Sequence, residues 1–329
     1  MANTCMVITS NRSELRLAVI GTGGWGKNHV RVLADQGVLS AVCDTDEERA
    51  REAAARFNTR NYSCLEEMLC DELHLHGCVI CTPTKTHYEI AKKVMEEGIN
   101  VFVEKPMSFS SAECEEMIKV SKKKNVILTS GYIERFNPIV QDVKRIMRSK
   151  TYGDLLMMEF HRENRMPMHV KDVGIIYDTA VHDIDTAMFL FDSRPQLVFA
   201  RAGAKFHSYE DFATIMLGFE DQKVAIIASN WITPKRVRTF NAVCTEGIIS
   251  GDFITQEIRI DEETRTITPR RKNQLIEPLT LELKSFIDAI KGKADGSLVS
   301  ASEATNVTRV AEAAILSSKT GSPIYLELK

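Results

Sequence analysis

Gly21, Gly23 and Gly26 stand at the spacing G-x-G-x-x-G, directly after the apolar run Leu15-Arg-Leu-Ala-Val-Ile20. Glycines so placed let the chain turn tightly, let a pyrophosphate approach the backbone, and let the next helix pack close to the strand. A helix over about 25–36 would aim its N–H groups and positive dipole end at the phosphates, with Gly24 and Trp25 among the cofactor contacts. A second apolar run over 38–43 ends in Asp44, eighteen residues past Gly26 (44 − 26). That is close to the ~20 expected of the acid that binds the adenosine ribose. A carboxylate there accepts hydrogen bonds from the 2′-OH of NAD and repels the 2′-phosphate of NADP. Asp46, Glu47 and Glu48 suit the first turn of the following helix, and no Arg directly follows Asp44. NAD is expected, with NADP disfavoured.

Three further polar strings could carry a reaction. In Glu104-Lys105-Pro106 a lysine ends an apolar run and proline fixes the turn, although a solvated lysine is the plain alternative. In Tyr177-Asp-Thr-Ala-Val-His-Asp-Ile-Asp185, Asp178 and His182 are four apart, which on a helix presents a carboxylate and an imidazole on one face. The plain alternative is a helix-start acid and a surface histidine. Gly131-Tyr-Ile-Glu-Arg-Phe-Asn-Pro138 follows a strand, and its Asn-Pro alone reads as a helix start. Cys78-Val-Ile-Cys81, with His74 and His76 nearby, has C-x-x-C spacing but brackets an apolar segment. On a strand, residues three apart point to opposite faces, so these read as small buried hydrophobes. Neither a metal nor a structural disulfide is expected.

The elements that must position these groups alternate in the first half of the chain. Helices are expected over 47–57, 64–70, 87–97 and 110–123, and strands over 77–82, 100–104 and 126–130. This is an α/β pattern, a doubly wound parallel sheet of the Rossmann type, with ligands held outside the carboxyl ends of the strands. From about Gly153 short strands follow one another over 155–161, 196–206, 213–219, 223–230, 237–244, 247–253 and 257–260. Only one helix, near 179–191, interrupts them. That pattern implies an α+β domain with a large, open, mostly antiparallel sheet. Helices over 281–291 and 302–317 and a strand over 324–328 close the chain. The division is placed at 1–134 for nucleotide binding and 135–329 for substrate binding and oligomerisation, with the C-terminal segment able to return to the first domain.

Across 329 residues, 44% hydrophobic and 26% charged content describes an ordinary globular protein, and a net charge of −3 offers no basic field for nucleic acid or anionic lipid. No apolar run approaches the ~20 residues that span a bilayer. Residues 1–10 lack the charged and apolar regions of a secretory signal and read as a frayed tail, so a cytoplasmic protein is expected.

Taken together, the glycine fingerprint at Gly21–Gly26, Thr82-Pro83 with His87, Glu104-Lys105-Pro106, and Asp178 with His182 at D-x-x-x-H spacing resemble the Gfo/Idh/MocA family of NAD(P)-dependent sugar and polyol oxidoreductases. The resemblance covers nearly the whole chain. It implies that His182, held by Asp178, takes the proton of a secondary alcohol while Lys105 polarises the hydroxyl, although some relatives assign the base to the lysine. It further implies that Glu104 and Pro106 position Lys105, and that Thr82, Pro83 and His87 line the cofactor groove. A finer resemblance, of Gly131–Pro138 and Asn230–Arg238 to the branch acting on nucleotide sugars, adds Tyr132, Arg135, Asn137, Arg165, Trp231, Lys235 and Arg236 as substrate contacts. Arg162 and Arg238 are further cations of the same kind. The expected reaction is oxidation of a ring hydroxyl, at C3 of a UDP-N-acetylhexosamine or its uronate. Alternatives are a free sugar or inositol dehydrogenase, an NAD-dependent glycoside hydrolase or lyase, and a non-catalytic NAD-binding regulator. The large sheet implies a homodimer or homotetramer.

Overall fold

The computed structural model describes residues 15–166, 173–269 and 275–327. The expected N-terminal tail and Leu328, the end of the last expected strand, lie outside the described residues. The first half runs β1 (Leu17–Ile20), α1 (Gly26–Asp35), β2 (Leu39–Cys43), α2 (Glu47–Phe57), β3 (Arg60–Tyr62), α3 (Leu65–Cys70), β4 (Gly77–Ile80), α4 (His87–Glu96), β5 (Asn100–Glu104), α5 (Ser111–Lys124) and β6 (Leu128–Gly131). All neighbouring strands pair in parallel, in the order β3-β2-β1-β4-β5-β6 of a Rossmann sheet. Every residue of β1 and β4 is buried, because helices cover both faces. That double cover explains why these strands read as continuous apolar runs rather than alternating ones. β3 was not foreseen; its sequence, Arg-Asn-Tyr, is polar because it lies at the sheet edge.

The second half opens with α6 (Pro138–Ser149), the helix whose start Asn137-Pro138 signals, and its first turn is capped by the Asn137 side chain. It continues with β7 (Leu155–Glu163), a wide π-type turn over Ile176–Ala180, and α7 (Val181–Phe191). There follow β8 (Leu197–Gly203), β9 (Phe212–Gly218), β10 (Val224–Asn230), β11 (Val237–Cys244), β12 (Gly247–Asp252), β13 (Glu257–Asp261) and β14 (Thr266–Ile267). The chain closes with α8 (Pro278–Ile290), α9 (Ala301–Thr320) and β15 (Ile324–Tyr325). Among the described residues these strands form one nine-stranded sheet, ordered β14-β13-β12-β11-β7-β10-β9-β8-β15. Its pairs are antiparallel except β7 with β10. The inner face, bearing Met158, Phe160, Ile215, Leu217 and Phe240, is buried.

Two helices tie the halves together. α8 returns to the first sheet, where Phe286 meets Phe102 at a ring separation of 5.8 Å and joins Leu17, Val19 and Val79 in one apolar cluster. α9 starts from a reciprocal capping pair, Ser300 with Glu303, and packs between α5 and β8. The seam between the two sheets therefore lies where β5 and β6 end and α7 begins. Among the described residues no helix is long and apolar enough to cross a membrane.

Close packing at the glycine turn gives a direct test. A Cβ on Gly26 would lie 1.9 Å from the Gly21 carbonyl oxygen and 3.2 Å from the Cys81 Cβ. Gly26→Ala must therefore push α1 off the sheet, at a cost of about 1–3 kcal/mol. A urea titration should show a lower midpoint than wild type, and a fluorescence titration should show weaker NAD binding. An unchanged midpoint and affinity would refute the tight packing described here.

Candidate active site

The loop after β1 is built as a cradle. Gly21 holds φ +88°, and a side chain there would strike the backbone of Cys81 and Thr82 at 2.8–2.9 Å. The three nearest atoms to a Cβ on Gly23, by contrast, all belong to the flexible Arg49 side chain, with the guanidinium at 3.0 Å. The outer side of the loop is thus open, and the residues present fit a dinucleotide pyrophosphate. Gly24 and Trp25 form its exposed crest.

Asp44, at the end of β2, is nearly buried and pins this loop. One carboxylate oxygen accepts the Thr22 amide at 2.8 Å and the Thr22 hydroxyl at 3.0 Å, and the other accepts the Asp46 amide at 3.0 Å. Arg49 reaches both oxygens at 3.3–3.4 Å. Arg49 is not among the expected site residues, because it stands beyond the residue directly after Asp44. The overlooked signal is the cap: Asp46 accepts the Arg49 amide, and a side chain in a helix's first turn leans back toward its N-terminus.

At the end of β5, Glu104 is held from three sides. Its carboxylate accepts Trp25 Nε1 at 2.9 Å and the Lys105 amide at 3.0 Å, and pairs with His29 Nε2 at 2.7 Å. Burial alone would raise the Glu104 carboxyl; the His29 hydrogen bond and the His29 and Lys105 charges outweigh it and hold the group below its ordinary value. Lys105, joined to Pro106 by a cis peptide, extends across the seam. Its Nζ donates to Asp178 Oδ1 at 2.9 Å and also to the Asp178 carbonyl. Asp178 Oδ2 accepts the Thr179 hydroxyl at 3.0 Å, and Trp231 Nε1 donates to that hydroxyl oxygen at 3.3 Å. A chain of polar contacts thus runs from β10's end through Trp231, Thr179 and Asp178 to the lysine.

His182 sits one turn further on, in the first turn of α7. Its ring makes no hydrogen bond among the described residues, and Nδ1 is buried without a partner. Burial, then the charges of Lys105, Arg162 and Arg238, push its pKa well below the ordinary 6.5, so the ring is neutral at pH 7. The expected Asp178–His182 pair does not form. Residues 176–180 are wound as a π-turn, which breaks the i,i+4 alignment, and Asp178 turns to Lys105 instead.

Several expected ligand contacts are structural. Tyr132 is fully buried. Arg135 is locked by Asp185 at 2.7 Å and Glu303 at 2.6 Å, and Asn137 caps α6 while donating to Phe253 O. Trp231 is buried and acts through Thr179. His87 is also buried, its ring nitrogens 2.9 and 2.8 Å from the carbonyls of Pro106 and Thr82, so it clamps the two strand-end loops together. Thr82 is half-buried and Pro83 exposed beside that clamp. Arg165, Lys235 and Arg236 are exposed and form no ion pair among the described residues. Cys78 is sealed in β4, where burial pushes its thiol far up.

Comparison with known proteins places this geometry. Residues 15–132 match the model described as "Oxidoreductase family, NAD-binding Rossmann fold", and residues 140–250 match the "GFO/IDH/MocA C-terminal domain". The UDP-N-acetylglucosamine 3-dehydrogenase of Acidithiobacillus ferrooxidans is 25% identical over 285 residues, spanning 84% of this chain and 89% of that protein. The scyllo-inositol 2-dehydrogenase (NAD(+)) of Bacillus subtilis is 26% identical over 336 residues, spanning 96% and 97%. A crystal structure of the Acidithiobacillus enzyme superposes with a TM-score of 0.85 at 24% identity, covering 93% of this chain and 98% of that one. The latter likeness speaks to the fold.

A neutral imidazole is the form that accepts a proton, and a lowered pKa keeps it neutral to lower pH. With His182 as the acceptor, kcat/KM should hold as pH falls through ~6.5 and decline only below it. His182→Ala should abolish that limb. An acid limb centred above 6.5, or one that survives in His182→Ala, would contradict the assignment.

Proposed function

The chain belongs to the Gfo/Idh/MocA oxidoreductase family, with an NAD-binding Rossmann domain, and on that premise we propose that it oxidises a ring hydroxyl of a sugar to a ketone, with C3 of a UDP-N-acetylhexosamine or its uronate as the reacting position. The observation that carries this reading is that Lys105, pinned by Asp178 at the seam, stands close enough to His182 for its charge to bear on the imidazole, whose Nδ1 is buried without a partner among the described residues.

Each group has a definable task. Asp178 fixes Lys105 through two acceptors and leaves the remaining ammonium proton for the oxygen of a bound alcohol. That contact strengthens as the oxygen becomes an alkoxide, so it favours the transition state over the ground state. His182 takes the hydroxyl proton. The cofactor, when bound, supplies the hydride acceptor. Glu104, tied to Trp25 of the glycine loop, to His29 of α1 and to the Lys105 amide, couples the cofactor cradle to the reacting end. Asp44 supports NAD over NADP, with Arg49 competing for the same carboxylate in the free protein.

The nucleotide-sugar assignment is supported by the Acidithiobacillus relative, which matches 84% of the chain. It draws no support from Tyr132, Arg135, Asn137 or Trp231, whose side chains are buried. A homo-oligomer is supported by the outer face of the nine-stranded sheet, where Phe212, Met216 and Ile248 stand exposed.

The experiment is a screen at the NADH absorbance band, with NAD and a panel of UDP-sugars, free hexoses and inositols. NADH should form with a UDP-N-acetylhexosamine at the highest kcat/KM. Turnover confined to inositols or free hexoses would replace the proposed substrate, and cleavage of a glycoside without net NADH would replace the reaction.

A further inference from the structure

One guanidinium in the same region lacks an acceptor. Arg238 on β11 stands directly opposite Arg162 on β7, so both side chains lie on the inner face of the sheet, toward α7. Arg162 is fully served. Asp183 accepts from its Nε and Nη2 at 2.7–3.1 Å, Glu134 accepts from Nη1 at 2.9 Å, and the Phe253 ring lies 5.1 Å from its guanidinium carbon. Arg238 comes second to the same acid: its Nη1 is 3.7 Å from the Glu134 oxygen that Arg162 already holds, beyond hydrogen-bond reach. Arg238 Nε is buried with no partner, and no side-chain hydrogen bond reaches this residue among the described residues.

The group is nevertheless accessible, since 32% of its side chain remains exposed. It is also close enough that its charge, with those of Lys105 and Arg162, weighs on His182. Burial, followed by the Arg162 charge, lowers the guanidinium to about 10, with Glu134 opposing only in part. A planar cation held with free N–H donors beside a reacting centre costs stability unless a ligand supplies the acceptor, and its forked donors match an oxyanion.

We infer that Arg238 is the specificity-determining residue of this site and that it binds an oxyanion, a carboxylate or a phosphoryl oxygen, carried by the alcohol whose proton His182 accepts. Lys235 and Arg236, the neighbours on the same string, point to solvent and take no part. The inference rests on the dehydrogenase reading above and narrows its substrate to anionic alcohols.

The test measures NADH formation by the full chain with four alcohols: UDP-N-acetylglucosamine, its 6-carboxylate, free glucuronate, and uncharged myo-inositol. Wild type should favour at least one anionic alcohol over inositol by about a hundredfold in kcat/KM. Arg238→Met should cut that preference by about tenfold to a hundredfold, chiefly through KM, as loss of a charge-assisted contact requires. Arg238→Gln should do the same, and either variant is read once it titrates NAD as wild type does. Preference for glucuronate identifies a ring carboxylate as the ligand; equal preference for both UDP-sugars with none for glucuronate identifies the diphosphate. A wild type that uses inositol as well as the anionic alcohols, or an anionic preference that survives in both variants, overturns the role of Arg238. If none of the four alcohols nor any other sugar reduces NAD, the dehydrogenase reading falls first and this inference falls with it.

Discussion

Lys105 leaves the end of β5 and meets Asp178 at 2.9 Å on the far side of the seam, and the placement of the other reactive groups follows from that bridge. The lysine belongs to the nucleotide-binding sheet and the aspartate to the turn before α7. Neither domain alone contains both. Half-buried and doubly accepted by Asp178, the ammonium has little freedom to swing into solvent. A group with so little orientational freedom can stabilise developing charge without first paying for reorganisation.

The supports on either side of the bridge differ in kind. On the first domain, Glu104 ties the Lys105 backbone to Trp25 at the end of the glycine loop and to His29 on α1. On the second, Trp231 and Thr179 hold the Asp178 carboxylate through hydrogen bonds from a neutral side chain. Behind both, buried ion pairs of Arg135 with Asp185 and Arg162 with Asp183 anchor α7. Removing one partner of such a pair strands a buried charge, so these residues fix geometry at high local cost. His182 is placed by α7, and its buried Nδ1 receives no partner among the described residues.

The Rossmann half was legible because its signals are local. An apolar run, three glycines at fixed offsets and an acid at the next strand's end each report on a few neighbouring residues, and Gly21, Gly26 and Asp44 take the expected places. The alternation of short strands likewise announced the second sheet. What escaped was set by long-range packing. The π-turn at Ile176–Ala180 leaves no mark in the residue types, yet it turns Asp178 from His182 toward Lys105. Arg135 looked available because arginine usually is, whereas its acids, Asp185 and Glu303, lie 50 and 168 residues away in sequence. Trp231 read as a substrate contact, whereas just past the end of β10 it is buried and donates to Thr179, 52 residues away in sequence.

The central claim is that Lys105 acts on the reacting oxygen and does not merely bind. It is tested most directly by following deuterium from a ring-carbon-labelled alcohol onto the nicotinamide, in wild type and in Lys105→Met, under single-turnover conditions. Wild type should transfer the label, and Lys105→Met, loaded with NAD, should transfer it at least about a hundredfold more slowly. Label transfer at the wild-type rate in NAD-loaded Lys105→Met would contradict the account.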